Sequence, residues 1–115
     1  MASRESDEYR FVGYRRGLID EIRARGIEDL EILQVLDQVP RHRFLPPGVW
    51  PRAYEDAPVP IGFGQTASQP SLQALYLKLL GPGPDDRVLE IGTGSGFLTA
   101  LLAMMADRVY SVERI

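Results

Sequence analysis

The sequence contains no cysteine, so disulfides and cysteine-based metal sites are excluded. It contains one histidine, His42, which removes histidine-cluster metal sites and argues against a Ser-His-Asp hydrolase. No metal is expected. There is no long basic run, and the net charge is −3, so nucleic acid is not the expected partner. Long apolar runs are also missing. The longest, Phe97 to Ala106, is too short to span a bilayer and is interrupted by Thr99. Met1 to Arg10 is polar and lacks the apolar core of a signal peptide. A soluble cytoplasmic protein with no membrane partner is the expectation. The 115 residues, 44% hydrophobic and 25% charged, suit one small globular domain.

What is present centres on Val88-Leu89-Glu90-Ile91-Gly92-Thr93-Gly94-Ser95-Gly96. A strand-like run enters three glycines at alternate positions. A helix-like run, Phe97 to Ala106, follows, and a second strand-like run, Val109 to Val112, ends on Glu113. This is the order of a nucleotide-binding βαβ unit. A chain leaving a parallel strand must turn sharply into its crossover helix, and glycine permits the positive φ angles such turns use. A carboxylate at the tip of the second strand can accept hydrogen bonds from both hydroxyls of a ribose.

The dinucleotide fingerprint G-x-G-x-x-G fits Gly92 and Gly94, but Phe97 stands in its third glycine place. That opposes a nicotinamide-dependent oxidoreductase. The pattern is instead E-x-G-x-G-x-G, from Glu90 to Gly96, the variant typical of S-adenosylmethionine-dependent methyltransferases. The competing reading is a glycine-rich βα turn with no ligand. The register of acid, glycines, helix and second acid weighs against it.

Upstream, residues 1–8 are polar and expected to be disordered. Tyr9 to Arg25 reads as a helix with Val12, Leu18, Ile19 and Ile22 on one face, ended by Gly26. Asp29 is the expected N-cap of a second helix, Leu30 to Gln38, which Pro40 stops. Pro40 to Pro60 is proline-rich with interleaved aromatics, an ordered loop whose aromatics pack on the domain. His42 is read there as a surface or loop histidine with no catalytic role. Ile61 to Pro70 brings two glycines and small hydroxyl residues to the start of a third helix, which Gly81 and Pro82 close. By spacing alone Ser68 is a helix N-cap. Gly83 to Asp86 is a turn into the Arg87–Ile91 strand.

Two motifs thus stand in order, Ile61-Gly62-Phe63-Gly64-Gln65-Thr66-Ala67-Ser68-Gln69-Pro70 and Val88 to Gly96. With Val39-Pro40-Arg41 and Ala53-Tyr54-Glu55-Asp56, the chain from about Asp7 onward resembles the protein-L-isoaspartate O-methyltransferase family. The glycine motif is shared by many methyltransferases; the Gly-Gln-Thr-x-Ser-Gln-Pro stretch is the specific one. Ala67 stands where the family commonly has isoleucine.

The resemblance implies an α/β, Rossmann-like class I S-adenosylmethionine-dependent methyltransferase fold, its N-terminal part only, with an N-terminal helical region. Residues 1–60 would be the helical and proline-rich region and residues 61–115 the first part of the methyltransferase domain. The expected activity is methyl transfer from S-adenosyl-L-methionine to the α-carboxylate of L-isoaspartyl residues in damaged proteins. The family's active-site serine falls on Ser68. Thr66, Ala67, Ser68 and Gln73 match positions lining the cofactor. Glu90, Gly92, Thr93, Gly94 and Gly96 match the cofactor loop, and Glu113 matches the ribose-binding acid.

The residue inventory agrees with this chemistry. A carboxylate, with a reference pKa of about 4, is already ionised at neutral pH, and a sulfonium methyl is already electrophilic. No base or metal is required; the reactants must be held in line and water excluded. Two other readings stand beside this one: a related methyltransferase acting on an aspartate side chain of a biosynthetic peptide, and a truncated, non-catalytic fragment. The sequence stops at Ile115, just past the second strand, whereas parallel sheets are buried on both faces by several strands and helices. The N-terminal portion of a larger domain is therefore expected.

Overall fold

The computed structural model describes residues 4–114, with side chains from residue 9 onward. Two helices come first, α1 (Arg4–Ala24) and α2 (Leu30–Gln38), then two short 3-10 turns, Arg41–Phe44 and Pro47–Arg52. A small hairpin follows, β1 (Val59–Gly62) and β2 (Gln65–Ala67), then α3 (Pro70–Leu80). The chain finishes with β3 (Arg87–Ile91), α4 (Phe97–Met105) and β4 (Arg108–Val112). β1 and β2 are antiparallel, with a register shift between Pro60 and Gly62. β3 and β4 are parallel, paired from Arg87↔Arg108 to Ile91↔Val112, and α4 is the crossover between them.

The first helix corrects one expectation. It begins at Arg4, so residues 4–8 are helical rather than disordered; residues 1–3 lie outside the described part. Its buried face is Phe11, Leu18, Ile19 and Ile22, with Val12 only half-buried. Gly26 ends the helix at φ +106°. Its N–H donates to Arg23 O at 3.0 Å, and Ile27 N–H donates to Ile22 O at 3.4 Å, the paired bonds of a Schellman stop.

Asp29 occupies the N-cap position of α2, but its side chain makes no capping bond. The carboxylate lies instead 3.8 Å from Lys78 Nζ on α3, so it joins two helices rather than sealing one. At the other end Val39 is extended, as the residue before a proline must be.

His42 is the second correction. It is fully buried, not a surface residue. Its ring stacks on Phe11 with centroids 4.2 Å apart, stands edge-on to Trp50, and its Nδ1 is hydrogen-bonded to the Tyr54 hydroxyl at 2.9 Å. Trp50 in turn donates to Leu45 O at 2.9 Å. The proline-rich segment is thereby folded onto α1 as an aromatic cluster.

One apolar core runs from Phe11 and Ile22 of α1 through Leu36 of α2 and Leu77 of α3 to Leu101 of α4. Each such side chain contributes about 1.5–3 kcal/mol by leaving water. The parallel pair is covered on one face only. Val88, Glu90, Val109 and Ser111 turn inward, while Leu89, Ile91, Tyr110 and Val112 form an apolar outer face. No helix among the described residues is long and apolar enough to cross a membrane.

Candidate functional site

The glycine loop joins β3 to α4. Gly92 and Gly94 have φ of +87° and +59°, which side-chain-bearing residues seldom adopt. A Cβ placed on either would meet nothing within 4 Å, so the backbone faces open space. Gly92 N–H donates to Val112 O at 2.7 Å, extending the parallel ladder into the loop. Gly94 N–H donates to Glu113 Oε2, also at 2.7 Å, so the acid at the tip of β4 lies against the loop.

Glu90 is buried at the inward end of β3. Its Oε1 accepts hydrogen bonds from Ser111 on β4, at 2.6 Å, and from Thr99 on α4. Ser111 also shares a hydrogen bond with Thr93 of the loop. Glu90 thus ties loop, helix and neighbouring strand together. Glu90 and Thr93 act from behind the loop, while Gly92, Gly94 and Glu113 present its outer side.

Ser68 lies between β2 and α3, exposed. It is not the cap of α3. Gln69 holds that position, and its side chain makes no capping bond. The helix start is sealed by Asp56, whose side chain is 1% exposed. Ser71 N–H donates to Asp56 Oδ1 at 2.8 Å; Gln69 Nε2 reaches Oδ2 at 3.2 Å, and Arg25 Nε reaches it at 3.0 Å. Burial pushes the Asp56 carboxyl up, but the bonds from Ser71 and Gln69 and the Arg25 charge outweigh it and hold the group below its ordinary value.

Arg41, 1% exposed, reaches the same turn from the other side. Its Nη2 donates to Ser68 O at 3.0 Å and its Nη1 to Gln73 Oε1 at 2.9 Å. Its Cζ stands 5.1 Å from the ring centre of Phe97, the first residue of α4. Burial lowers its pKa to about 10, with Tyr54 and Asp56 opposing the fall, so it is charged at neutral pH. Gln73 is itself buried, as is Ala67, while Thr66 is exposed on β2.

A cleft of about 450 Å³ opens between the two parts. Gly94, Ser95 and Glu113 form one wall; Ile61, Phe63 and Gln65 of the hairpin form another, with Arg43 to Pro46 behind. Phe63, at the hairpin tip, is a non-glycine residue at φ 55° and is exposed. Ser68, Thr66 and Gln73 do not line this cleft. The expected residues thus fall into two groups, the loop with Glu113 on the cleft and the Ser68 turn beside Arg41. Open glycine backbone, a carboxylate at the strand tip and an adjoining cleft are a donor and acceptor set that fits a nucleoside bearing a ribose.

Arg41 and Asp56 were not expected at the site from their residue types. Neither falls in a periodic segment; the available signal was their place inside Val39-Pro40-Arg41 and Ala53-Tyr54-Glu55-Asp56.

The family model for protein-L-isoaspartate (D-aspartate) O-methyltransferase matches residues 14–115. A protein-L-isoaspartate O-methyltransferase of Pelotomaculum thermopropionicum is 45% identical over 98% of this chain and 50% of its own length. One from Methanoregula boonei is 50% identical over 88% of this chain and 47% of its own. A Plasmodium falciparum protein described as a protein-L-isoaspartate O-methyltransferase, solved in complex with S-adenosyl-L-homocysteine, superposes with a TM-score of 0.78 at 31% identity. The match covers 88% of this chain and 49% of that one. The chain spans about half the length of the curated relatives it matches. Its α/β architecture is part of a class I methyltransferase fold, and the chain belongs to the protein-L-isoaspartate O-methyltransferase family.

Proposed function

We propose that this chain carries the cofactor loop and the acceptor-orienting serine of an enzyme that methylates the α-carboxylate of L-isoaspartyl residues in damaged proteins, with S-adenosyl-L-methionine as donor. The observation that carries the reading is the Ser68 turn. Ser68 is exposed and is not the cap of α3, while buried Arg41 and the buried side chain of Asp56 anchor the backbone on either side. A side chain released from the helix start and set on an anchored backbone is suited to a ligand.

When bound, S-adenosyl-L-methionine supplies an electrophilic methyl group on a sulfonium. Gly92 and Gly94 would offer it bare backbone, Gly96 starts α4 against the Phe44 ring, and Glu113 would accept from its ribose hydroxyls. Glu90 and Thr93 hold the loop in shape through Ser111 and Thr99. Thr66 and Ala67 lead into the Ser68 turn on β2, paired with Pro60 and Val59, and Gln73 follows it on α3, bonded to Arg41. Ser68 donates a hydrogen bond to one oxygen of the acceptor carboxylate and fixes its direction. That carboxylate is ionised at neutral pH, so no residue has to remove a proton. The catalytic contribution is alignment.

The test uses a full-length protein carrying these residues, offered an isoaspartyl peptide and the same peptide with ordinary aspartate. Methylation of the isoaspartyl form alone is expected. Equal or preferential methylation of the aspartyl peptide would favour a peptide-tailoring enzyme instead.

A further inference from the structure

We propose that Arg41 is a positioning residue for methyl transfer, holding the Ser68 turn in register with the start of α4 behind the glycine loop. The proposal rests on the functional reading above. Arg41 touches three separate parts of the site: the Ser68 carbonyl, the Gln73 side chain one helical turn on, and the ring of Phe97 directly after Gly96.

Stability alone is a poor explanation for a guanidinium there. It is almost wholly buried, and no carboxylate lies within ion-pair distance of it among the described residues. Its Nε has no hydrogen-bond partner among the described residues. Burying a charge on neutral acceptors is costly, and an apolar side chain of similar size is often as stable or more so. A planar fork does offer two donors at fixed spacing, and here they meet two acceptors, the Ser68 carbonyl before α3 and the Gln73 side chain within it. Asp56 grips Gln69 and Ser71, but Ser68 itself is tethered by Arg41 alone among the described side chains. Alignment errors of about 1 Å can cost roughly a hundredfold in rate, so a device that fixes this carbonyl has a kinetic use.

The experiment is a double-mutant cycle in a full-length protein carrying these residues. Arg41→Met keeps the volume and removes the fork; Arg41→Lys keeps the charge but cannot reach both acceptors at once. Each is made alone and with Ser68→Ala. Melting temperature, kcat, KM for an isoaspartyl peptide and for S-adenosyl-L-methionine, and amide hydrogen exchange are measured. Both single variants should lower kcat by about tenfold or more while KM for the cofactor stays within about twofold, with Arg41→Met melting no lower than wild type by more than a few degrees. In the Ser68→Ala background the further loss should be under about twofold, because both changes disable one arrangement. Exchange should rise over residues 65–73 and not in α1 or α2. Losses that multiply in the double variants, unchanged turnover, or unchanged exchange over residues 65–73 would each overturn the proposal. A wild-type protein that methylates no isoaspartyl peptide would defeat the functional reading itself. The exchange data would then separately decide whether Arg41 holds the turn.

Discussion

Glu113 divides its two oxygens between backbone donors. Oε2 accepts from Gly94 N–H and Oε1 from Arg114 N–H. These bonds point a carboxylate across the glycine loop before any ligand arrives, and charge-assisted acceptors of this kind contribute about 1.5–3 kcal/mol per hydrogen bond. In a full-length protein carrying these residues, Glu113→Ala should weaken S-adenosylhomocysteine binding by about tenfold or more, read by calorimetry. Unchanged affinity would place the ribose elsewhere. The residue scale is also where the sequence was least legible. His42 reads as a loop residue until Phe11, far away in the chain, stacks on it. Ser68 reads as a cap until Asp56 takes the N–H of Ser71. Both outcomes depend on partners that no local pattern announces.

At the scale of elements, the start of α3 depends on a carboxylate from outside the helix. Asp56 titrates below its ordinary value in the folded protein. Its stabilising contribution is therefore complete above the unfolded carboxyl pKa, about 4, and is lost as pH falls through the lower folded value. Asp56→Ala should cost roughly 1–3 kcal/mol at pH 7, and the difference from wild type should shrink below about pH 4. Chemical denaturation at several pH values checks this; a pH-independent cost would mean the charge is irrelevant. The β3–loop–α4–β4 unit matched its sequence reading closely because its signals are local: apolar strands, glycines at the turn, an acid at the tip. The β1–β2 hairpin was not legible as strands. It is four residues paired with three, carries Pro60, and turns at Phe63 and Gly64, so alternation has no length in which to show.

For the whole molecule, the distribution of apolar surface matters most. The outer face of the parallel pair leaves Leu89 64% and Ile91 77% exposed, beside Tyr110 and Val112. Several large side chains at about 1.5–3 kcal/mol each are comparable with a typical net stability of about 5–15 kcal/mol. A polypeptide of residues 1–115 alone should therefore bind a dye specific for exposed apolar surface and self-associate as its concentration rises. A monomer with no dye binding and a sharp thermal transition would show that this face needs no cover. The central claim, that Ser68 serves the acceptor and not the helix, is tested most directly by Ser68→Ala in a full-length protein carrying these residues, with methyl transfer to an isoaspartyl peptide and melting temperature measured on the same sample. An acceptor-orienting Ser68 predicts turnover lowered by about tenfold or more at an unchanged melting temperature; wild-type turnover with a loss of about 1 kcal/mol in stability would contradict it and restore the cap.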